Sequence, residues 1–373
     1  MVIRVSQVVG RMMGGGVEAN VMNYYRHIDK SRIQFDFIVQ NDSTVVPEQE
    51  IKELGGRIFY IPSYKNIIAY TNSLYHIFNS IHPLIVHSNM NAISVFTLKA
   101  AKRAEVPIRI AHSHSTGNPN ETVKNVVKNM LKPYSKIYPT ELVACSEYSG
   151  KWLFGEDAVQ QGKVKIIKNA IESDRFTFSA SLRNNTRKML GIPAETVAIG
   201  VVGRFCAQKN QAFALHVFAD ILKKNPNAHL YFAGDGDSRQ EIEGKVSSMK
   251  LNASVDFLGN RSDINLLYQA FDVLLMPSLY EGLPVAGIEA QAASLPIIAS
   301  DKITNEASIV PNGMTFISLD APSGVWADAV LQAAHQSRKP GAERHREIIE
   351  AGYDISQNAD EVSSWYENLV ERL

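Results

Sequence analysis

Two glutamates on either side of a glycine–proline segment have the spacing that most directly suggests chemistry. Glu281 precedes Gly282-Leu283-Pro284-Val285, and Glu289 completes a Glu-x7-Glu pattern. Proline favours a helix start, where N–H groups around Leu283 and Val285 could hold a phosphate. Glu289 would lie one to two turns into this helix and accept hydrogen bonds from paired ribose hydroxyls, and Glu281 would contact the other end of the ligand. The pattern favours a sugar-nucleotide site, and ordinary acidic charge at a helix N-terminus is the alternative.

Two cations lie in a second strand-to-helix loop. Arg204 follows the apolar run 197–202, and Lys209 comes five positions later. Both could converge on one diphosphate, because arginine offers a planar fork of donors and lysine a point charge. Asn210 is predicted to cap the next helix. Two solvated surface cations would explain the spacing equally well.

A glycine-rich loop, Gly14-Gly15-Gly16, separates the first apolar run from a helical segment. Glycines allow close approach of the backbone to a ligand, and the following helix start favours anions. The loop lacks the Lys-Ser/Thr of a P-loop and the Gly-x-Gly-x-x-Gly of a dinucleotide site. It therefore predicts an anion contact at most, and a tight turn without a ligand remains the alternative.

Two histidines, His112 and His114, follow the apolar run 108–111. Either could hydrogen-bond a sugar hydroxyl or a developing charge, and a surface loop is the alternative. Asp235-Gly236-Asp237 resembles a metal-binding pattern, but it opens a helical segment and is interpreted as a turn and cap. Because no His/Cys cluster has zinc spacing either, no metal site is predicted.

These loops are positioned by short apolar runs that alternate with helical segments, and the alternation restarts after residue 172. Such alternation predicts parallel βαβ units, and therefore an α/β protein with two doubly wound, Rossmann-like domains facing a central cleft. The domains are predicted at 1–172 and 173–355. The predicted strands are 3–9, 35–39, 57–61, 84–87, 108–111, 142–144 and 164–167, then 197–202, 229–233, 255–258, 273–276 and 296–299.

Composition narrows the possible partners and location. The chain has 373 residues, enough for two domains, and zero formal net charge, which does not favour nucleic acid. Residues 1–172 carry 20 Lys and Arg against 14 Asp and Glu, and the remainder carries 18 against 24. This distribution hints at an anionic partner for the first half or at random scatter of surface charge.

Cys145 and Cys206 are expected to be buried, reduced thiols. No apolar run reaches about 18 residues, so a cytoplasmic protein is expected.

Taken together, these motifs resemble the GT-B-fold retaining glycosyltransferases of family 4, over nearly the whole chain. The combination is similar to bacterial enzymes that build capsule or exopolysaccharide. Ser294 departs from the family, which commonly has glycine there. The motifs in family order are Gly14–Glu18, His112–Ser115, Asn169–Ile171, Gly203-Arg204 with Lys209, Gly234-Asp235-Gly236, Gly259-Asn260-Arg261 and Glu281 to Glu289.

The resemblance implies a nucleotide-sugar donor, expected to be UDP-linked, and retention of configuration without an obligatory metal or other cofactor. Arg204 and Lys209 would bind the diphosphate, Glu281 the donor sugar and Glu289 the ribose. The remaining implied contacts are Gly282, Leu283, Pro284 and Val285 at the phosphate, Arg261 beside the base, Gly15 and Gly16 near the diphosphate, and either His112 or His114 at the donor sugar. The C-terminal helix, 356–373, would cross back onto the N-terminal domain.

The N-terminal domain would hold the acceptor, a glycan or a polyprenyl-diphosphate-linked sugar. Lys124, Lys128, Lys132 and Lys136 recur every four residues on a predicted helix near 121–137. This face could contact an anionic membrane, and a solvated helix face is the alternative. A non-hydrolysing sugar-nucleotide epimerase and a non-catalytic sugar-nucleotide-binding subunit are the competing functions. A nicotinamide dehydrogenase is disfavoured, because no dinucleotide fingerprint follows the first strand.

Overall fold

The computed structural model describes residues 2–114 and 129–373. The chain forms two compact units. One contains Met1–Ala170 together with Ile355–Leu373, and the other contains Ile171–Asp354. Each unit is a parallel β-sheet with helices packed against it.

The N-terminal unit contains, among its described residues, a seven-stranded parallel sheet with the order β3-β2-β1-β4-β5-β6-β7. The strands that begin at Ile3 and Ile33 are rich in Val, Ile and Phe and are almost continuously buried, as expected where helices cover both faces. The strands are β1 (Ile3–Gly10), β2 (Ile33–Gln40), β3 (Arg57–Ile61), β4 (Ile85–Ser88), β5 (Ile108–Ser113), β6 (Glu141–Ala144) and β7 (Val164–Ile166).

The helices of this unit connect the parallel strands. Helix α3 begins at a capping side chain, because Asn66 accepts a hydrogen bond from the Ala69 N–H at 3.2 Å. Helix α5 begins at a capping box formed by Ser146 and Ser149. The helices are α1 (Gly16–His27), α2 (Glu48–Glu53), α3 (Ile67–Ile81), α4 (Ser94–Arg103), α5 (Glu147–Phe154) and α6 (Glu156–Gln160).

The last helix of the chain, which we label α15 (Ile355–Glu371), belongs to the N-terminal unit. One face of it is buried in the same apolar cluster as α1 and the strands, and the spacing of these residues follows the helical period. Arg32 of the N-terminal unit donates to Glu367 at 2.8 Å at the edge of this packing. The buried apolar residues are Ile355, Ala359, Val362, Tyr366 and Leu369.

The second unit contains, within the described chain, a six-stranded parallel sheet with the order β10-β9-β8-β11-β12-β13. Its strands are β8 (Val197–Val202), β9 (Ala228–Ala233), β10 (Val255–Gly259), β11 (Val273–Met276), β12 (Ile297–Ser300) and β13 (Thr315–Ile317). Its helices are α7 (Ser173–Phe176), α8 (Ala180–Met189), α9 (Gln211–Lys224), α10 (Arg239–Ser248), α11 (Ile264–Ala270), α12 (Val285–Ala292), α13 (Ser323–Ala334) and α14 (Gly341–Glu350).

Arginines neutralise the carboxyl end of α11 in this unit. Arg183 and Arg187 donate to its last carbonyls, and both also contact the Asp272 carboxylate. Asp272 accepts a further hydrogen bond from the Ala198 N–H at 2.7 Å, which ties the helix end to β8. Cations at a helix C-terminus are favourable because the helix dipole is negative there.

The predicted α/β class with two Rossmann-like sheets is confirmed. The predicted helix near 121–137 is wrong at Lys132–Lys136, which form a 3-10 helix containing Pro133. Proline lacks the N–H that an α-helix interior needs. Lys132 does not share an exposed face with Lys136, because its ammonium lies over the Trp152 ring at 4.0 Å. Lys124 and Lys128 lie outside the described residues.

Two smaller expectations concern cysteines and membrane spans. Both cysteines are free thiols, but only Cys145 is buried, and Cys206 is half-buried beside a strand end. Among the helices of residues 2–114 and 129–373, none is long and apolar enough to cross a membrane.

Candidate active site

The candidate residues of the second unit lie where β8 and β11 are neighbours. The strand order reverses between these two strands, and open parallel sheets bind ligands outside the carboxyl ends of their strands at such a point. The loop after β8 carries Arg204 and Lys209, and the loop after β11 carries Glu281. Sheet topology therefore brings together residues that are far apart in the chain.

An ion pair joins the two loops. The Lys209 ammonium lies 2.6 Å from Glu281 Oε1, and Gln208 Nε2 donates to Glu281 Oε2 at 3.0 Å. Gln208 also donates to the Tyr280 carbonyl at 3.1 Å, and its own carbonyl accepts from the Leu279 N–H at 2.8 Å. Because the Glu281 side chain is only 9% exposed and that of Lys209 19%, this pair is poorly screened by water.

The backbone beside this pair has little free space. Gly203 has φ +141°, and a Cβ there would lie 3.0 Å from Lys209 Cε. A Cβ on Gly234 would lie 2.2 Å from the Gly203 carbonyl oxygen. The glycines at the ends of β8 and β9 therefore permit a close approach that larger residues would block.

Arg204 does not join the ion pair. It is half-buried, and its guanidinium makes no hydrogen bond or ion pair within the part of the chain that the structure describes. Its carbonyl accepts from Gln211 Nε2 at 3.0 Å, which fixes the backbone at this position. The guanidinium thus remains available for an anion beside Lys209.

Asn210 stands at the N-cap position of α9, but the predicted side-chain cap is wrong. Its backbone is left-handed, with φ 54°, and its side chain makes no capping bond. Asn210 Nδ2 instead donates to the Pro277 carbonyl at 3.1 Å. The residue therefore adds another link between the loops after β8 and β11.

Helix α12 begins directly after Pro284, and Gly282, Leu283 and Pro284 are buried. The Gly287 and Ile288 N–H groups bond the Pro284 carbonyl at 3.0 and 3.2 Å. Val285 is the first helical residue, so its N–H points out of the positive end of the helix. This geometry suits an anion at Val285.

Glu289 lies in the second turn of α12 and is half-buried. The Tyr268 hydroxyl, from α11, donates to Glu289 Oε2 at 3.0 Å. Burial raises the pKa of the Glu289 carboxyl to about 7, although the Tyr268 hydrogen bond and the charge of Arg175 act in the opposite direction. The carboxyl is therefore poised between its two protonation states near neutral pH.

Arg261 follows β10 and pairs with Asp263 through two hydrogen bonds of 2.7 and 2.5 Å. This pairing raises the pKa of the Arg261 guanidinium and lowers that of the Asp263 carboxyl. Arg175 donates to the Ser262 carbonyl at 2.9 Å, so the loop is held from a second side. Arg261 thus presents an oriented, half-exposed planar group.

The glycine loop of the N-terminal unit is occupied by its own acidic residue. Gly14 has φ +77°, Gly15 is the N-cap of α1 and Gly16 is its first residue. Glu18 Oε1 accepts from the Met13 N–H at 3.2 Å, and Glu18 Oε2 lies 2.5 Å from where a Gly15 Cβ would be. An anion at this loop would have to displace the Glu18 carboxylate.

His112 and His114 lie inside a buried hydrogen-bonded network of the N-terminal unit. His87 Nδ1 lies 2.7 Å from the Tyr366 hydroxyl, and His87 Nε2 lies 2.9 Å from His112 Nδ1. His114 Nε2 lies 2.9 Å from Asn89 Oδ1. The rings of His112 and His114 are in contact, with centroids 3.7 Å apart.

The alternative of an exposed surface loop for these histidines is therefore excluded, and the predicted contact of one of them with a sugar stays a prediction. His112 is 2% exposed and His114 6%. Burial lowers the pKa values of His87 and His114 to about 3, and that of His112 well below its usual value, with neighbouring histidines adding to the effect at His87 and His112. All three rings are neutral at physiological pH, because the apolar surroundings disfavour the charged form.

Sequence reasoning missed the side chains that orient the candidate residues. Amides and phenols have no spacing that marks them, so no local signal could have identified them. The missed residues are Gln208, Tyr268, Gln7, Asn89 and Tyr366.

Two family models match this chain. Residues 14–175 match the model described as Glycosyltransferase Family 4, and residues 183–354 match the one described as Glycosyl transferases group 1. The EpsF protein of Bacillus subtilis (strain 168), named as a glycosyltransferase, is 34% identical over 377 residues, which cover 99% of this chain and 97% of EpsF. The chain belongs to the family 4 glycosyltransferases. It is an enzyme of sugar transfer.

Other glycosyltransferases resemble this one more distantly. The Escherichia coli UDP-Gal:alpha-D-GlcNAc-diphosphoundecaprenol alpha-1,3-galactosyltransferase is 26% identical over 334 residues, covering 84% of each chain. Anabaena HepE, solved with UDP and glucose, has a TM-score of 0.78 at 15% identity and covers 98% of this chain and 99% of its own. Sucrose-phosphate synthase from Thermosynechococcus elongatus has a TM-score of 0.78 at 16% identity, with complete coverage of both chains. These structures show that the glycosyltransferase has the GT-B fold.

Proposed function

We propose that this glycosyltransferase moves a sugar, with retention of anomeric configuration, from a UDP-linked donor to a glycan or polyprenyl-diphosphate-linked acceptor in bacterial polysaccharide biosynthesis. The observation that carries the proposal is the Lys209–Glu281 ion pair at the reversal point of the second sheet, in the same loop as Arg204, whose guanidinium has no partner among the described residues. Two cations next to an oriented carboxylate suit a sugar linked to a diphosphate. The diphosphate needs positively charged partners, and the hydroxyls of the sugar need a hydrogen-bond acceptor.

The donor would span the second unit between the two glutamates. Lys209 and Arg204 would bind the diphosphate and stabilise the charge that develops on the leaving nucleotide. The helix start at Val285 would add N–H donors, and Glu289 would accept from the ribose hydroxyls. Glu281, which Gln208 and Lys209 hold in place, would accept from hydroxyls of the donor sugar.

Two known proteins support a UDP-sugar and a lipid-linked acceptor. HepE was solved with UDP-glucose, and the Escherichia coli relative is named for transfer from UDP-galactose to a sugar on diphosphoundecaprenol. We therefore propose UDP as the nucleotide, with Arg261 beside the base. Lys209 and Arg204 would supply the positive charge, so we also propose that no metal or other cofactor is obligatory.

A peripheral contact of the cytoplasmic enzyme with an anionic membrane is part of the proposal. Exposed apolar side chains lie near Lys136 in the N-terminal unit, namely Met130, Tyr134 and Ile137, which are 67%, 51% and 54% exposed. Apolar and cationic groups side by side suit the interface of an anionic bilayer. Sedimentation with vesicles containing anionic lipid, compared with neutral vesicles, tests this contact.

The donor is tested with the purified full-length enzyme and a panel of UDP-, GDP- and ADP-sugars, first in a thermal-shift screen. Transfer is then measured with polyprenyl-diphosphate-linked acceptors, with and without a chelator of divalent metals. We expect a UDP-sugar to stabilise the protein, a product with the donor's anomeric configuration by NMR, and no effect of the chelator. An inverted product, or a requirement for metal, would contradict the mechanism.

Two rival functions give different results in the same assays. A sugar-nucleotide epimerase would convert the donor without any acceptor, so incubation with donor alone separates it from a transferase. A non-catalytic binding subunit would bind donor tightly and form no product with any acceptor. The intact set of Arg204, Lys209, Glu281 and Glu289 argues against a non-catalytic subunit.

A further inference from the structure

Six buried side chains of the N-terminal unit form one continuous hydrogen-bonded chain, which we call the histidine relay. It runs through Gln7 of β1, His87 of β4, Asn89 after β4, His112 of β5, His114 after β5 and Tyr366 of α15. Each member except His114 lies in the lining of a single cavity beneath α1 and α15. The relay thus connects the end of the polypeptide with the strand that carries the candidate histidines.

The hydrogen bonds of the relay have a direction. Asn89 Nδ2 donates to Gln7 Oε1 at 2.9 Å, and Gln7 Nε2 donates to the Tyr366 oxygen at 3.1 Å. Within residues 2–114 and 129–373, the Tyr366 hydroxyl has one further partner, His87 Nδ1 at 2.7 Å. A buried hydroxyl hydrogen without an acceptor costs about 1–3 kcal/mol. The Tyr366 O–H therefore donates a hydrogen bond to His87 Nδ1.

This direction fixes the protonation of both histidines. Because His87 accepts at Nδ1 and is neutral, it carries its proton on Nε2. His87 Nε2–H then donates to His112 Nδ1 at 2.9 Å. His112 is also neutral, so its own proton must be on Nε2.

His112 Nε2 is buried and has no hydrogen-bond partner among the described residues. Asn20 Oδ1, from α1, is likewise buried without a partner, and Asn20 is only 3% exposed. His112 and Asn20 line the same cavity, whose volume is about 20 Å³. A donor and an acceptor on two residues that line a space of this size suit one hydroxyl group, since about 10–15 Å³ is enough for a water-sized guest.

We propose that Tyr366 is a positioning residue, which acts through His87 to hold His112 as the Nε2–H tautomer, a fixed donor for one hydroxyl group in this cavity. The role of Tyr366 in transfer rests on the proposed function, whereas the tautomer of His112 does not. Tyr366 lies in α15, so the C-terminal helix sets the hydrogen-bonding state of a residue on β5.

The matched variants are Tyr366→Phe and Tyr24→Phe in the full-length enzyme. Both remove a phenol oxygen from a buried tyrosine that lines the cavity. The Tyr24 hydroxyl donates to the Lys168 carbonyl at 2.7 Å and is outside the relay. A general effect of losing a buried phenol would therefore appear in both variants, and an effect through His87 only in Tyr366→Phe.

The direct measurement is the long-range ¹H–¹⁵N spectrum of histidine-labelled enzyme, in which the two neutral tautomers have opposite nitrogen shifts. We expect His112 to show the Nε2–H pattern in the native enzyme and in Tyr24→Phe, and a mixture of both tautomers in Tyr366→Phe. An Nδ1–H pattern for His112 in the native enzyme would mean that the amides and the relay run in the opposite direction, and would overturn the proposal. An unchanged His112 pattern in Tyr366→Phe would overturn it as well.

Kinetics separate this inference from the proposed function. We expect Tyr366→Phe to lower kcat by about tenfold with little change in the KM for donor, and Tyr24→Phe to leave both nearly unchanged. If Tyr366→Phe loses the Nε2–H tautomer of His112 but keeps the native kcat, the positioning role of Tyr366 is overturned. If the native enzyme transfers no sugar from any nucleotide donor, the proposed function fails while the spectrum still tests the tautomer. If Tyr366→Phe does not fold, the spectrum of the native enzyme still tests the predicted Nε2–H tautomer of His112.

Discussion

The two units of this glycosyltransferase have the same strand order at their centres and opposite chemistry at the strand ends. In each sheet the order reverses between the first and fourth strands, β1 and β4 or β8 and β11. At this point the N-terminal unit has neutral, buried imidazoles and amides, and the second unit has the charged pair Lys209–Glu281. The strand order therefore determines where each candidate site lies, while the loop residues and their burial determine its chemistry.

This difference indicates how each site should respond to substitutions and to changes of pH. The histidine relay is neutral and depends on the direction of its hydrogen bonds, so removing one hydroxyl changes the tautomers of its histidines rather than its charge. The charged pair depends on its counterion, because an unpaired buried charge is costly. Variants and pH should therefore affect the two units in different ways.

The largest effect is expected from neutralising the charged pair. Lys209→Met leaves the Glu281 carboxylate buried without its cation and removes the proposed partner of the diphosphate, so kcat/KM should fall by roughly a hundredfold to a thousandfold. Lys224→Met is the matched control, because Lys224 pairs with Asp328 on the exposed surface of the same unit. Steady-state kinetics check this, and a loss of less than threefold in Lys209→Met would show that the pair does not serve transfer.

Acid should destabilise the N-terminal unit through its histidines. His87 and His114 have folded-state pKa values near 3, lowered by burial from an ordinary value of 6.5. Below pH 6.5 the unfolded chain binds more protons than the folded one, so stability is lost as pH falls from about 6.5 toward 3. At pH 5.5, each such histidine should favour opening by about tenfold.

Hydrogen exchange resolves this effect by unit. Peptides from β4 and β5 should lose more than tenfold protection between pH 7.5 and 5.5, after correction for intrinsic exchange. The second unit serves as the internal comparison, because the raised pKa of Glu289 gives the opposite trend. Equal losses in both units would contradict the assignment of neutral histidines to the relay.

Glu289 should give donor binding its pH dependence. Its pKa is raised to about 7 by burial, so the carboxylate that we propose accepts from the ribose hydroxyls is lost as pH falls through about 7. We expect 1/KM for donor to fall by about tenfold per pH unit below this value. Glu289→Gln should abolish this inflection. The variant should also be more stable than the native enzyme above pH 7, because the buried charge is absent.

Much of this arrangement could be predicted from the sequence, because periodic apolar runs and strand-end loops are local signals. Arg204, Lys209 and Glu281 belong to loops that a doubly wound sheet must bring together. The surroundings of His112 could not be predicted, since they include Val362 and Tyr366 of α15, more than 200 residues away in the chain. The prediction for Lys132–Lys136 is wrong because the four-residue lysine period indicates a regular α-helix, whereas Pro133 does not fit the interior of one.

The smallest effect is expected from the hydroxyl that orients Glu289. Tyr268→Phe removes the 3.0 Å hydrogen bond to Glu289 Oε2 but keeps the buried ring. Since a typical intramolecular hydrogen bond contributes about 1 kcal/mol, the KM for donor should rise at least about fivefold with kcat nearly unchanged. Tyr231→Phe, at a buried tyrosine on β9 of the same unit, controls for loss of a phenol. Equal KM values for the two variants would mean that Tyr268 only packs. A higher KM in Tyr268→Phe would show that a neutral hydroxyl also contributes to the charged site, and so would narrow the contrast between the two units.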